Sequence, residues 1–332
     1  MKYTPFANHP LQVSKLCLGT MTFAASCDYP LSEQIVRTAL DNGINFFDTA
    51  AMYADGLAEE YLGKSLKSVD REKVFVGTKV VKGIDANSII SGMDESLKRL
   101  AMDYVDLYMI HWPVEGMNLT EMMSALNQVV QSGKTKLVGV CNYPAYLIAS
   151  SNRIAVENGW PALVCNQVAY NLFERGIEVE ILPYALLEGI AITAYRPLAV
   201  GLLTGKFRQG QKMDEAKRGA SDSRVITWLT QHGAGIEAFI AFAEKKGIHP
   251  VQLALAWVLH NPAVTSPIVG ISSVNQLLLN MESIDVTLTD EEYRTVTGLL
   301  DTEVKEEGLQ LFPGMTYNFP RLRRKLGLAK RN

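Results

Sequence analysis

The chain has 332 residues, of which 48% are hydrophobic and 20% charged, and this ordinary globular usage excludes a disordered or low-complexity protein. The 35 acidic and 32 basic side chains leave a formal charge of −3, which disfavours nucleic acid or an anionic membrane as a partner. The four cysteines show no CxxC spacing, so a zinc site or a disulfide framework is not expected. No apolar run approaches the ~20 residues of a membrane span or has the form of a signal peptide. We therefore expect a soluble cytoplasmic protein without a bound metal.

Short apolar runs alternate with amphipathic segments along the chain, a pattern that predicts alternating strands and helices. Eight strands are predicted at Lys15–Thr20, Phe46–Ala50, Val74–Val80, Val105–Trp112, Lys136–Cys141, Leu163–Val168, Ala191–Tyr195 and Val264–Val269. The helices between and after them are predicted at Ser32–Gly43, Ala58–Ser68, Asn87–Leu100, Asn118–Gly133, Pro144–Gly159, Val179–Gly189, Pro250–Asn261 and Val274–Ser283. Ser32 is the predicted N-cap of the first helix.

The order of these elements predicts an α/β fold, a (β/α)8 TIM barrel. Strands that are apolar on both faces are typical of a parallel sheet covered by helices, and eight right-handed crossover units close into a barrel. An open doubly wound sheet is the alternative, but no GxGxxG motif follows any predicted strand. We expect one domain over residues 1–332, with a hairpin at Tyr3–Val13 across the barrel floor, extra helices at Ile226–Lys246 and Asp290–Leu300, and a tail from about residue 302 to 332.

Polar residues stand at the C-terminal ends of the predicted strands, where barrel enzymes hold their active sites. These residues are Asp48, Tyr53, Lys79, His111, Asn142 and Gln167. A buried Lys79 needs a carboxylate partner, which Asp48 on the neighbouring strand can supply. A structural salt bridge would also explain these two residues, and a single His or Tyr is usually a core residue. The combination of Asp48, Tyr53, Lys79 and His111 on three consecutive strand ends favours catalysis.

The chemistry of these four groups fits proton donation to an oxygen. A tyrosine has a pKa near 10, and the ammonium of Lys79 is expected to lower that of Tyr53 and make it a useful general acid. His111 would orient the substrate oxygen. Because no side chain supplies hydride, a nicotinamide or a flavin is needed. An aldolase that forms a Schiff base on Lys79 is a second hypothesis, although pairing with Asp48 would keep Lys79 protonated.

Seven segments of the sequence resemble the aldo-keto reductase superfamily. They are INFFDTAAMYADGLAEEYLG (44–63), GTKV (77–80), DYVDLYMIHWP (103–113), GVCNY (139–143), NQVAYNL (166–172), AYRPLAVGLLTGKF (194–207) and SPIVGISSVNQLLLN (266–280). Their spacing is similar to the bacterial branch that includes the potassium-channel β-subunits and the glyceraldehyde-phosphate reductases. The resemblance implies a catalytic tetrad of Asp48, Tyr53, Lys79 and His111, with Tyr53 as general acid in NADP(H)-dependent reduction of an aldehyde or ketone.

The resemblance also implies a cofactor site along the rim of the barrel. Asp48, Asn142 and Gln167 would lie at the nicotinamide, Tyr195 would stack on its ring, and Gly19, Thr20 and Met21 would line its other side. The pyrophosphate and adenosine would contact Arg196, Pro197, Leu198, Gly201, Lys206, Gly270, Ser272, Gln276 and Asn280. The substrate, a small carbonyl compound, would lie against Tyr53, His111, Trp112 and Tyr143.

Three positions depart from the pattern of the superfamily. Arg196 stands where many relatives have Ser, so that it pairs with the pyrophosphate or redirects the loop. Cys141 replaces a frequent Ser, and the segment GISS (270–273) lacks the Arg or Lys of many NADPH-preferring relatives. NADPH is favoured because Ser272, Ser273 and Lys206 can share the 2′-phosphate, and NADH is left open. A nicotinamide-sensing subunit for a protein partner is the remaining alternative, and a homo-oligomer is compatible with the sequence.

Overall fold

A computed structural model describes residues 1–6, 12–80, 85–211 and 219–300 and the backbone of 9–11, 310–312 and 315–316. Its strands are β1 (Tyr3–Phe6), β2 (His9–Ser14), β3 (Cys17–Gly19), β4 (Phe46–Asp48), β5 (Phe75–Val80), β6 (Val105–Ile110), β7 (Thr135–Cys141), β8 (Leu163–Ala169), β9 (Ala191–Tyr195), β10 (Val264–Gly270), β11 (Gln310–Phe312) and β12 (Met315–Thr316). Its helices are α1 (Tyr29–Asp41), α2 (Leu57–Leu66), α3 (Ala86–Leu100), α4 (Leu119–Gln131), α5 (Ala145–Asn158), α6 (Ile181–Glu188), α7 (Ser223–Lys245), α8 (Pro250–His260), α9 (Val274–Met281) and α10 (Asp290–Leu299).

Strands β3 to β10 form a closed barrel in which each strand pairs in parallel with the next and β10 pairs with β3. The predicted (β/α)8 TIM barrel is therefore confirmed. The register aligns Gly19 with Asp48 and Asp48 with Gly77, so the C-terminal ends of β3, β4 and β5 lie at one rim of the barrel. That rim is the face on which barrel enzymes hold their reacting groups.

Apolar side chains fill the inside of the barrel, and the N-terminal hairpin closes its floor. Strands β1 and β2 pair in antiparallel fashion, which confirms the predicted hairpin. Phe6 is fully buried and its ring centroid lies 5.8 Å from that of Phe46 and 4.8 Å from that of Phe75. These edge-to-face and tilted contacts are typical of packed aromatic cores. The interior is therefore packed at the floor, and polar groups are left to the opposite rim.

A second core lies between the barrel and the surrounding helices. In α3 the buried residues Ile89, Met93, Leu97 and Leu100 recur at helical spacing and face the barrel. Asp85 caps the start of this helix by accepting a hydrogen bond from the backbone N–H of Ser88. The apolar face and the capped start of α3 thereby fix this helix against the barrel. Among the described residues, no helix is both long enough and apolar enough to cross a membrane.

The first helix differs from its predicted boundaries. It begins at Tyr29, and its N-cap is Asp28, whose carboxylate accepts from the N–H of Leu31; the prediction of Ser32 as N-cap is wrong. Ser32 lies inside the helix and is fully buried. Pro30 occupies the first turn, where the missing N–H costs no hydrogen bond. The predicted tail at 302–332 lies outside the described residues except for β11 and β12.

Candidate functional site

A buried ion pair stands at the rim of the barrel. Lys79, near the end of β5, is completely buried, and its Nζ lies 2.8 Å from Oδ2 of Asp48. The ammonium also donates to the carbonyl of Thr49 at 2.6 Å. The other oxygen of Asp48 accepts from Nε2 of Gln167 at 2.9 Å. Both charged groups therefore have partners, as buried charges require.

The charge of Lys79 is maintained in spite of its burial. Desolvation is the largest single influence and disfavours the ammonium. The charge of Asp48 and its hydrogen bond, together with Tyr53 and Cys141, outweigh desolvation and raise the pKa of Lys79 above its ordinary value. Lys79 is therefore protonated at neutral pH, and it cannot act as a free amine nucleophile in this state. The ammonium of Lys79 thus provides a permanent positive charge for any group that lies at the C-terminal end of β5.

Tyr53 lies beside this ion pair. It follows β4 and begins a short 3-10 turn, Tyr53–Gly56, in which Ala54 and Asp55 have left-handed backbone conformations. The Nζ of Lys79 lies 5.1 Å from the centroid of the Tyr53 ring. Burial raises the pKa of Tyr53 to about 12, although the ammonium of Lys79 acts in the opposite direction. The predicted net lowering of this pKa is wrong, because desolvation is the larger effect; Tyr53 remains a protonated phenol at neutral pH.

His111 lies directly after β6 and is the fourth residue of this group. Its ring centroid lies 6.2 Å from that of Tyr53 in an edge-to-face arrangement. The indole of Trp112 stacks on the imidazole at 3.7 Å between centroids, with an angle of 2° between the planes. Burial, reinforced by the charge of Lys79, lowers the pKa of His111 to about 2. His111 is therefore neutral throughout the physiological range and carries one N–H donor.

Asn142 and Tyr195 lie together farther along the rim, at the ends of β7 and β9. The hydroxyl of Tyr195 donates to Oδ1 of Asn142 at 2.9 Å, and Nδ2 of Asn142 donates to the backbone carbonyl of His111 at 3.3 Å. Asn142 has a left-handed backbone with φ of 62°, which asparagine tolerates better than most residues. Gln167, which was predicted beside Asn142, instead directs its amide N–H to Asp48.

Two predicted site residues have other partners. Arg196 forms an ion pair with Glu174 at 2.8 Å. Tyr143 is fully buried, and its hydroxyl lies 3.4 Å from the sulfur of Met122 on α4. The structure therefore places Tyr143 in the core between barrel and helix, away from the rim to which it was assigned. Glu174 could not be predicted as a site residue from any local pattern, because its partner lies in a different loop.

The remaining predicted cofactor contacts lie at the ends of β3 and β10, in the loops that follow β3, β9 and β10, and in α9. A Cβ at Gly19 would lie 2.7 Å from Cγ2 of Ile268, so glycine permits the close approach of β3 to β10. Ser272 donates through both its N–H and its hydroxyl to Oε1 of Gln276. The burial of the others differs: Thr20, Pro197 and Asn280 are buried, Leu198, Gly201 and Lys206 are half-buried, and Met21 and Gly270 are exposed.

Four predicted site residues each carry a buried polar atom that has no hydrogen-bond partner within the described part of the chain. These atoms are Oγ1 of Thr20, Nδ1 of His111, Nε of Arg196 and Nδ2 of Asn280. Buried polar atoms are nearly always hydrogen-bonded in native proteins, so an unsatisfied set is typical of a site for a polar ligand. Donors and acceptors at the rim and in α9 therefore fit an extended polar group such as a dinucleotide.

The rim also carries unusual backbone conformations. The loop after β9 has three non-glycine residues with positive φ: Arg196 at 56°, Ala199 at 48° and Val200 at 57°. Such conformations are rare for residues with a Cβ, and they cluster at active sites and ligand clamps. The loops after β4 and β7 contribute Ala54, Asp55 and Asn142. The strained backbone therefore lies mainly on the face that holds the buried ion pair.

A buried Lys–Asp pair, a phenol and an imidazole thus meet at the rim of a closed parallel barrel, the face on which barrel enzymes hold their reacting groups. The sequence profile of the aldo/keto reductase family matches residues 15–301. The chain is 34% identical to an uncharacterized oxidoreductase, YrpG, of Bacillus subtilis, over 90% of this chain and 96% of that protein. It is 32% identical to a probable voltage-gated potassium channel subunit beta of Oryza sativa, over 92% and 98% of the two chains.

A third relative is norsolorinic acid reductase B of Aspergillus parasiticus, which is 30% identical over 93% of this chain and 84% of the relative. The chain belongs to the aldo/keto reductase family, whose members generally use nicotinamide cofactors.

Proposed function

We propose that this chain is an NADP(H)-dependent oxidoreductase that reduces an aldehyde or ketone to an alcohol by hydride transfer, with Tyr53 as the general acid. The observation that carries the proposal is the convergence of a charged, fully buried Lys79–Asp48 pair, the Tyr53 ring and a neutral His111 at one rim. A bound reduced nicotinamide would supply the hydride; the residues at the rim supply the proton and the positioning.

Each group has a distinct task in this mechanism. Tyr53, with a pKa of about 12, holds its proton at neutral pH and is still a stronger acid than an alkyl alcohol. It therefore can donate a proton as negative charge develops on the carbonyl oxygen. The neutral imidazole of His111 offers an N–H to the same oxygen. The ammonium of Lys79 stabilises the phenolate that remains on Tyr53, and Asp48 keeps that ammonium in place.

The residues assigned to the cofactor would hold it along the rim. Asn142 and Tyr195 would contact the nicotinamide, Pro197, Leu198, Gly201 and Lys206 the pyrophosphate, and Gly270, Ser272, Gln276 and Asn280 the adenosine. Ser272, Ser273 and Lys206 favour NADPH over NADH, since they would provide hydroxyl and ammonium groups for a 2′-phosphate. Trp112, stacked on His111, would form an aromatic wall for the substrate.

The direct experiment is a titration of the purified protein with NADPH and, separately, with NADH, followed by a panel of aldehydes and ketones at saturating nucleotide. We expect nucleotide oxidation that depends on the carbonyl compound, and tighter binding of NADPH. Absence of binding of both nucleotides would contradict the proposal. Equal binding of both would overturn only the preference for NADPH.

A nicotinamide-sensing subunit of a protein complex is a second candidate, because one relative is a probable potassium channel subunit beta. This function predicts nucleotide binding with negligible turnover on the whole panel, together with co-purification of a membrane protein. An aldolase on Lys79 is disfavoured, since the pairing with Asp48 keeps the amine protonated. It predicts trapping of a carbonyl substrate on Lys79 by borohydride, which we do not expect.

A further inference from the structure

An ion pair that joins two rim loops has no role in the mechanism above. Arg196, directly after β9, directs Nη2 to Oε1 of Glu174, which follows β8, at 2.8 Å. The two side chains are 21% and 19% exposed, so the pair is largely shielded from water. Screening by solvent and salt is therefore weaker here than for a surface pair.

Asn171 connects this ion pair to the backbone. It is fully buried, and its Nδ2 donates to Oε2 of Glu174 at 2.7 Å and to the carbonyl oxygen of Arg196 at 3.0 Å. Both oxygens of the carboxylate are therefore engaged by protein donors. The closed arrangement of Glu174, Asn171 and Arg196 also holds the left-handed backbone of Arg196, whose φ is 56°.

The guanidinium group of Arg196 contacts its neighbour Tyr195. Its Cζ lies 4.9 Å from the centroid of the Tyr195 ring, and Nη2 lies 3.5 Å from the phenolic oxygen. That hydroxyl in turn donates to Oδ1 of Asn142 at 2.9 Å. A cation over an aromatic face is attractive, more so when it is shielded from water. The position of the Tyr195 ring is thus fixed by Arg196 on one side and by Asn142 on the other.

We infer that Glu174 and Arg196 are positioning residues, which hold Tyr195 and Asn142 in the geometry that a bound nicotinamide ring requires. The inference rests on the proposed function, since it assumes a nicotinamide at Tyr195. It differs from the expectation that Arg196 is a ligand of the pyrophosphate. A guanidinium already paired with a carboxylate and packed on an aromatic ring would have to leave both partners to bind a phosphate.

The two roles of Arg196 predict different effects of three substitutions. As a positioning residue, Arg196 acts together with Glu174, so R196S and E174Q each slow hydride transfer about 10- to 100-fold, the cost of a small misplacement of reacting groups. The Kd of NADPH stays within about threefold in both variants. R196K does not restore the rate, because an ammonium lacks the planar fork that reaches the carboxylate and the ring together.

As a pyrophosphate ligand, Arg196 gives the opposite pattern. R196S then raises the Kd of NADPH about tenfold or more, R196K restores most of the affinity, and E174Q leaves affinity unchanged or improves it by freeing the guanidinium. That result would overturn the positioning role. Kd values are measured by isothermal titration calorimetry, and hydride transfer by stopped-flow single turnovers at saturating NADPH.

The neighbouring pair of Arg175 and Glu178 provides a matched control. It has the same N–O distance of 2.8 Å and exposures of 17% and 21%, and it does not contact Tyr195. E178Q should therefore leave the rate of hydride transfer unchanged, even if it lowers the melting temperature as much as E174Q does. Equal rates in E174Q, R196S and E178Q would refute the positioning role.

A readout independent of turnover separates this inference from the proposed function. The fluorescence of bound NADPH depends on the surroundings of the nicotinamide, so R196S and E174Q should change its emission, whereas E178Q should not. Wild-type protein that reduces carbonyl compounds, with variants whose emission and rates equal those of E178Q, overturns the positioning role alone. Wild-type protein that binds no nucleotide overturns both proposals.

Discussion

The substitution D48N tests whether the charge of Asp48 holds Lys79 in the barrel. Lys79 is fully buried and lies 2.8 Å from Asp48, so an amide at position 48 would leave an ammonium without a counterion. The amide of Asn also carries an N–H2 group, which would face Lys79 or Gln167, both of which are donors in the native site. Removing one partner of a buried pair in this way costs about 3–5 kcal/mol.

This loss of unfolding free energy should lower the urea midpoint of the variant by an easily measured amount. With a dependence on urea of about 3 kcal/mol per molar, a loss of 3–5 kcal/mol lowers the midpoint by about 1–1.7 M. The unfolding is followed by circular dichroism at neutral pH. E33Q is the control, because it removes the partner of Arg37 in a pair on the surface of α1, and it should leave the midpoint unchanged.

The pH dependence gives a second check on the same pair. The pKa of Lys79 is raised in the folded protein, so its stabilising contribution is fully present below the unfolded pKa of about 10.4 and is lost as the pH rises through the folded pKa. The contribution of the pair in the wild type should therefore be constant from about pH 6 to 9. In D48N the buried amine lacks its counterion and its pKa falls, so the deficit of the variant should shrink as the pH rises towards the unfolded pKa of lysine. A D48N midpoint equal to that of the wild type would refute the reasoning that Asp48 compensates a buried charge.

Two further predictions follow from the pKa values and from the packing of the helices. The pKa of Tyr53 is about 12 and that of His111 about 2, so the rate of carbonyl reduction should show no inflection from either group between about pH 5 and 9. Alcohol oxidation needs the phenolate of Tyr53, so its rate should rise up to about tenfold per pH unit over the same range. A bell-shaped profile centred near neutrality would contradict these assignments. G63A should lower the free energy of unfolding by about 3 kcal/mol, because its Cβ would lie 2.1 Å from the carbonyl oxygen of Leu100. G298A is the matched control, because no described residue beyond its chain neighbours and its own helix backbone has an atom within 4 Å of the new Cβ. It should be neutral or stabilising by up to about 1 kcal/mol, and equal urea midpoints for the two variants would contradict the close approach of α2 and α3.

The barrel could be predicted because its signal is local and repeated. Each unit shows an apolar run followed by a helical face, such as Ile89, Met93 and Leu97 in α3, and eight units leave few closed arrangements. The groups at the rim could be predicted for the same reason: a Lys or an Asp inside an apolar strand end is costly without a partner, and parallel strands bring their C-terminal ends together.

The direction of side chains beyond the strand ends could not be predicted. Cys141 faces the barrel interior, so an alternating pattern would turn Tyr143 toward the rim as well. Asn142 interrupts the alternation with a φ of 62°, and Tyr143 enters the core between barrel and helix. The pairing of Arg196 with Glu174 joins two loops that are 22 positions apart in sequence (196 − 174), which no local pattern indicates.

The net shift in the pKa of Tyr53 also could not be predicted from the sequence. The neighbouring ammonium was foreseen correctly as a pKa-lowering influence, but the degree of burial sets the opposing desolvation cost. That cost depends on how closely the turn Tyr53–Gly56 packs on β5 and β6, and the structure gives a pKa of about 12. The phenol is therefore a proton donor whose anion is stabilised by Lys79, rather than an acidic phenol at rest.

The most direct test of the central claim is the rate of hydride transfer in Y53F, measured in single turnovers with saturating NADPH and a carbonyl substrate reduced by the wild-type protein. The substitution removes the hydroxyl and keeps the ring beside Lys79, so the account predicts a rate lower by about 10²- to 10⁴-fold. The Kd of NADPH should stay within about twofold of the wild-type value. A Y53F protein that reduces the substrate at close to the wild-type rate would contradict the account.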